Sequence, residues 1–299
     1  MRSSILVSGA IAAALSFAPS TARAHGGEES EYPVSYVERP LTLPRFALAP
    51  FGELDITRIG LSVATPGGTV SGSTVLAGMQ FGASFGITKD LEVGAVVLPI
   101  QLNNGAGFGG DFVGEEGAVL GPTLFATYRF LHNEKFDLGA RLRVQFIVPR
   151  NGLGAGSIIT PSVPLLLHIG KIGRFDAELG LPISVVSASD AADPLAGNTT
   201  EVHIGLDIPL RLAFDIIEPL HIGVSSGVAI EDFGHAGESA RIPLGVFFGY
   251  AVGHNKPIVD IDPFFSFFDF LTPGGGPFGD KVNPGVFVMG VNARGYLYF

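Results

Sequence analysis

Apolar and polar residues alternate along most of the chain with a period of two, in runs of about ten residues set off by turn-forming residues. Over 201–214, Val202, Ile204, Leu206, Ile208, Leu210, Leu212 and Phe214 share one face. Glu201, His203, Gly205, Asp207, Pro209, Arg211 and Ala213 share the other. Over 136–146, Phe136, Leu138, Ala140, Leu142, Val144 and Phe146 alternate with Asp137, Gly139, Arg141, Arg143 and Gln145. Over 175–185, Phe175, Ala177, Leu179, Leu181, Ile183 and Val185 alternate with Asp176, Glu178, Gly180, Pro182 and Ser184. Side chains point to opposite faces along a strand, so each run predicts a strand with one apolar and one hydrated face.

The same phase predicts strands at 76–87, 91–101, 118–130, 158–169, 219–228, 241–252, 257–270 and 285–299, with a less regular first strand near 54–64. The total is twelve. A soluble sandwich also alternates, but its strands run to about five or six residues. These are longer, near the length a tilted strand needs to cross a bilayer. Connections alternate short (88–90, 131–135, 170–174, 215–218, 253–256) and long (65–75, 103–117, 150–157, 187–200, 229–240, 271–284). Membrane barrels have short periplasmic turns and longer outer loops, and an even strand count returns both termini to the periplasm. The predicted fold is all-β: an antiparallel up-and-down transmembrane β-barrel of about twelve strands.

Composition sharpens this reading. Mean hydropathy is +0.41 and charged residues make up 15%, which suits a membrane protein. Beyond the N-terminus no apolar run is long enough for a spanning helix, and only helices and closed barrels satisfy their own backbone in lipid. Residues 1–24 read as a signal peptide, with Arg2, the apolar run Ile5 to Phe17 and the small-x-small site Ala22-Arg23-Ala24. Residues 25–53, marked by Pro33, Pro40, Pro44 and Pro50, are expected to be a partly ordered periplasmic segment, and 54–299 the barrel. Loss of the leader takes the net charge from -10 to -12, which argues against nucleic-acid binding. With no cysteine, disulfides and thiolate chemistry are excluded.

The leader, the alternating strands and the C-terminal aromatic Phe299 resemble the bacterial outer-membrane β-barrel superfamily. The resemblance implies insertion into a Gram-negative outer membrane, contact with its lipid and lipopolysaccharide, and recognition of Phe299 by the barrel-insertion machinery. The stretch Gly86-Ile87-Thr88-Lys89-Asp90-Leu91-Glu92-Val93-Gly94 resembles the hairpins of channel families linked to aromatic-compound uptake.

Motifs for catalysis fail on context. Gly82-Ala83-Ser84-Phe85-Gly86 and Gly223-Val224-Ser225-Ser226-Gly227 match G-x-S-x-G but lie inside predicted strands, where the nucleophile elbow needs a following helix. Gly105 to Gly110 matches G-x-G-x-x-G but leads into an acidic loop. An envelope lipid enzyme needs a lipid-facing Ser–His pair; Ser84, Ser162, Ser184, Ser225, His168, His203 and His221 all fall on the inner phase. His25 as a new N-terminus offers copper one imidazole and an amine without further ligands, and Asn198-Thr199-Thr200 is a glycosylation sequence without meaning in a bacterium. The loop acids Asp111, Glu115, Glu116, Glu231, Asp232 and Glu238 are placed to meet divalent ions of lipopolysaccharide. Neither catalyst nor cofactor is expected.

The inner phase collects Arg58, Glu92, Arg129, Asp137, Arg141, Arg143, Gln145, Asp176, Glu178, His203, Asp207, Arg211, His221, Arg241, Asp260, Asp262, Asn292 and Arg294. Charges there need water or partners. Inner glycines (82, 94, 139, 180, 205, 223, 245) predict open space, and Asp260, Asp262 and Ser266 a solvated wall near the periplasmic mouth. The expectation is a narrow passive channel for small polar or weakly charged solutes, lined by Arg141, Arg143, Asp176, Glu178, Asp207 and Arg211. A plugged structural or surface-interaction barrel acting through its long loops is the alternative.

Overall fold

The computed structural model describes residues 32–65, 68–97, 100–104, 111–112, 119–148, 155–188, 199–236, 240–271 and 286–299. They form a closed antiparallel barrel of twelve strands. In chain order these are β1 (Ala47–Thr65), β2 (Gly68–Thr88), β3 (Leu91–Val96 with Ile100–Asn104), β4 (Val119–His132), β5 (Phe136–Val148) and β6 (Gly156–Ile169). Then follow β7 (Gly173–Gly180 with Ile183–Ala188), β8 (Thr199–Ile204 with Leu206–Ile217), β9 (Leu220–Ile230), β10 (Ala240–Gly253), β11 (Pro257–Leu271) and β12 (Val286–Gly295 with Leu297–Tyr298). Each strand pairs with the next, and β1 closes on β12 through Phe51↔Arg294 to Ile59↔Val286. Closure removes the open edges that a sheet in lipid cannot leave unpaired.

The alternation reads out as expected. Leu142, Leu179, Val202, Val224, Val246, Phe248 and Met289 are exposed on the outside, while Glu92, Arg129, Asp137, His221 and Asp260 are buried inside. All five short turns fall where the spacing puts them, at 89–90, 133–135, 170–172, 218–219 and 254–256. Gly170, at φ +64°, supplies a left-handed turn residue that a side chain would disfavour.

Four expectations are corrected. Of the expected 65–75 connection, Thr65 and residues 68–75 are strand: β1 and β2 stay paired to Thr65↔Gly68, with Val63 and Val70 in register. Asp111–Phe112, inside the expected loop 103–117, pairs with Leu102 and Asn103; residues 105–110, 189–198 and 272–285 lie outside the described set. Arg58 is on the outer face, paired across with Val75 and Phe287 beside the exposed Ile56. Charge suggested the opposite phase, but Glu53 and Asp55 set the inner one.

The fourth correction concerns three of the inner glycines, Gly82, Gly94 and Gly223, which with Gly290 are sockets for aromatic rings rather than open space. Phe51 stands opposite Gly82, Phe125 opposite Gly94, Phe247 opposite Gly223 and Phe264 opposite Gly290. A Cβ at Gly94 meets the Phe125 ring at 2.3 Å and one at Gly223 meets the Phe247 ring at 2.2 Å. The ring covers the bare backbone across the strand pair, the arrangement that offsets the weakness of glycine in sheets. Gly94→Ala is therefore expected to destabilise the barrel by about 1–3 kcal/mol through overpacking. Urea unfolding from vesicles checks it, and Phe125→Leu in the same chain should recover part of the loss.

Candidate functional site

The periplasmic segment expected to be partly ordered is, from residue 32 on, packed inside the barrel, and β1 begins at Ala47 instead of 54. Tyr32, Val34, Val37 and Leu43 are buried; Tyr32 and Leu43 cluster with Ala47, Ala49 and Tyr296 at the short-turn end. A 3-10 turn (Tyr36–Glu38) lies against β7 and β8. The chain turns into β1 at Phe46, whose φ of +60° is costly for a bulky residue. Hydrogen bonds hold that corner on both sides: Phe46 N–H to Gly86 O (2.7 Å) and Phe299 N–H to Phe46 O (3.2 Å).

Wall side chains satisfy the segment's backbone in place of secondary structure. The Leu41 amide donates to Asp137 (2.8 Å) and the Leu43 amide to Glu92 (3.0 Å). Arg174 donates to the carbonyls of Tyr36 (3.2 Å) and Arg39 (3.0 Å), and His168 Nδ1–H to that of Val37 (2.8 Å). The hydroxyls of Ser35 and Thr42 donate to Asp215 (2.6 Å) and to Lys89 O (2.7 Å). Tyr36 stacks on His221, with centroids 4.2 Å apart, and lies under Arg174.

Arg39 is the centre of this plug. Its guanidinium, 3% exposed, pairs with Asp260, 5% exposed, with Nη2 3.0 Å from Oδ1 and Nη1 on Oδ2. Tyr296 donates its hydroxyl to Asp260 Oδ2 (2.5 Å) and accepts from Arg39 Nη1 (3.2 Å). Burial disfavours the arginine's charge, but Tyr296 and Asp260 outweigh it and hold the pKa above the ordinary arginine value. Asp260 is thus a buried anchor, not the solvated wall expected of it.

Above the plug lies a cavity of about 950 Å³. Its floor includes Tyr32, Tyr36, Arg39, Pro40, Leu41 and Leu43. All six residues singled out in the sequence, Arg141, Arg143, Asp176, Glu178, Asp207 and Arg211, line it. Arg141 pairs with Glu178 (2.6 Å), which also accepts from Ser162 (2.6 Å). Arg143 sits at 3.5 Å from Glu178 and 3.6 Å from Asp207. Asp176 is held by Arg174 at 2.8 Å. Arg211 lies over the ring of Phe247, 4.2 Å from its centroid.

Other inner residues do different work. Arg129 and Asp137 form a corner at the short-turn end with Asp90, Arg129 Nη2 lying 2.8 Å from Asp90. His203 meets Asp232 (3.1 Å) near the opposite end. Asp262 faces the cavity beside His221 (3.2 Å). Arg39, Arg174, Glu53, Asp55 and Asp215 are inner charges that sequence reasoning missed. The signal for the two arginines was a surplus of inward acids at the short-turn end, Glu92, Asp137 and Asp260, without enough cations on the same walls.

No family model matches the chain and no curated protein matches it. Solved structures do. An outer membrane channel from Pseudomonas putida F1 matches at 14% identity and TM-score 0.50, over 91% of this chain and 100% of that one. The NanC porin matches at 10% identity and TM-score 0.48, over 82% and 99%. The monoaromatic hydrocarbon channel CymD matches at 10% identity and TM-score 0.43, over 86% of this chain and 90% of that one. With its closed circuit of strands, apolar outer belt and charged interior, the chain has the barrel fold of the bacterial outer-membrane channels.

Proposed function

We propose that the chain is a Gram-negative outer-membrane channel for small polar or weakly charged solutes, closed at its periplasmic end by its own residues 32–46. The observation that carries this reading is the charged cavity of about 950 Å³ enclosed by an apolar outer belt. Lipid outside and water inside satisfy both faces at once, whereas a dry lumen leaves groups such as Arg211 in low dielectric. Small solutes fit the cavity, and passage requires the plug to move. The channel kinship of the fold supports the reading without naming a solute.

A planar bilayer holding the refolded protein tests it. Small discrete conductance steps are expected from wild type, infrequent because the plug is seated, and frequent steps from a chain whose plug is loosened. Silence from both overturns the channel. The seated plug then favours the second reading, a non-conducting barrel that binds a partner through its outer loops. Deleting 103–117 or 187–200 is expected to abolish such binding.

A further inference from the structure

We infer that Arg211 anchors a binding site for a small carboxylate-bearing solute in the cavity above the plug. The inference deepens the channel reading and, for transport, rests on it. Of the cavity's other arginines, Arg39 is committed to Asp260, Arg141 to Glu178, Arg174 to Asp176, Arg241 to Glu231 and Arg143 to Glu178 and Asp207, while Arg294 lies over the Phe51 ring at 5.4 Å. Among the described residues no carboxylate lies within ion-pair distance of Arg211. Its cross-strand neighbour Asp176 holds Arg174 instead, at 2.9 Å from Nε to both oxygens.

Arg211 also has an aromatic neighbour. Its guanidinium carbon lies over the Phe247 ring, 4.2 Å from the centroid, and Phe247 is buried against Gly223 and set edge-to-face with His221. A stacked guanidinium keeps its N–H groups free in the ring-parallel plane, and that planar fork matches a carboxylate with two parallel bonds. The ring contact narrows its orientations in advance, so less freedom is lost when a solute docks. The acids that oppose an anion in this cavity include Asp176, Glu178 and Asp207 on β7 and β8, each within ion-pair distance of an arginine, and Glu53 on β1.

Butyrate and its neutral isostere butyramide are the probes. Titrated by NMR into the refolded full-length mature chain, butyrate is expected to bind about tenfold more tightly than butyramide, the worth of one charge-assisted pair. Arg211→Gln should erase that preference, and Arg211→Lys, which keeps the charge and loses the fork, should retain only part of it. Retained barrel stability in both variants separates loss of the site from loss of the fold. Equal binding of the two probes by wild type, or a preference unchanged in Arg211→Gln, overturns the site. Bilayer currents separate the two readings: conductance with no butyrate preference leaves the channel and removes the site. A preference that depends on Arg211 with silent bilayers leaves the site and removes the channel.

Discussion

Arg39→Ala is expected to turn a barrel that opens rarely into one that conducts steadily. The substitution leaves Asp260 buried without its cation, and breaking a buried pair in this way costs about 3–5 kcal/mol. That cost falls on plug docking and not on the strands, because the β11–β12 ladder around Asp260 is made by backbone groups. The remaining ties of the plug are the hydrogen bonds to Asp137, Glu92, Asp215 and Lys89 O and those from Arg174 and His168 to its carbonyls, each worth about 0.5–3 kcal/mol net, together with the Tyr36–His221 stack. Loss of Arg39 therefore removes the largest single tie of the segment. Arg39→Lys, a point charge without the fork that spans Asp260 and Tyr296, should lie between. The chain has no cysteine, so a Val37→Cys probe reports the plug alone. It should react slowly with a water-soluble maleimide when Arg39 is present and rapidly when Arg39 is alanine. Unchanged labelling and unchanged conductance would mean that the plug is held by its apolar contacts with Ala47, Ala49 and Tyr296 instead.

The barrel was legible in the sequence because its code is local. A strand between lipid and water must alternate, and a turn residue must end it, so β5, β8 and β10 and the five short turns could be placed without any tertiary knowledge. The plug was not legible, because its structure is borrowed. Within residues 32–46 the hydrogen bonds are one 3-10 turn and those from the Arg39 side chain to the carbonyls of Pro33 and Val34; Asp137, Glu92, Arg174 and His168 supply the other partners from strands far along the chain. Prolines and polar residues in such a segment look the same whether it is solvated or cradled. The glycine sockets failed for a related reason. Gly94 alone reads as a gap, and it becomes a socket only when register sets Phe125 across from it. Arg58 misled because charge was weighed above phase.

Val246→Arg should be among the most damaging single changes on the outer face. Val246 is 52% exposed near the middle of β10, flanked across the sheet by Val224 and Phe265. If that face meets hydrocarbon, arginine at the bilayer midplane costs about 2–4 kcal/mol, while the same change near an interface costs about 0–1. Val252, on the same face and 45% exposed, lies beside the 254–256 turn and provides the shallow control. The two sites have similar exposure and chemistry, so a difference between Val246→Arg and Val252→Arg in urea unfolding from vesicles reports depth in the membrane. In short-chain detergent micelles, which deform around a buried charge, the difference should shrink. Equal and small effects in vesicles would mean that the apolar belt does not meet lipid. The charged cavity would then have no reason to be water-filled, and the functional reading would fall with it.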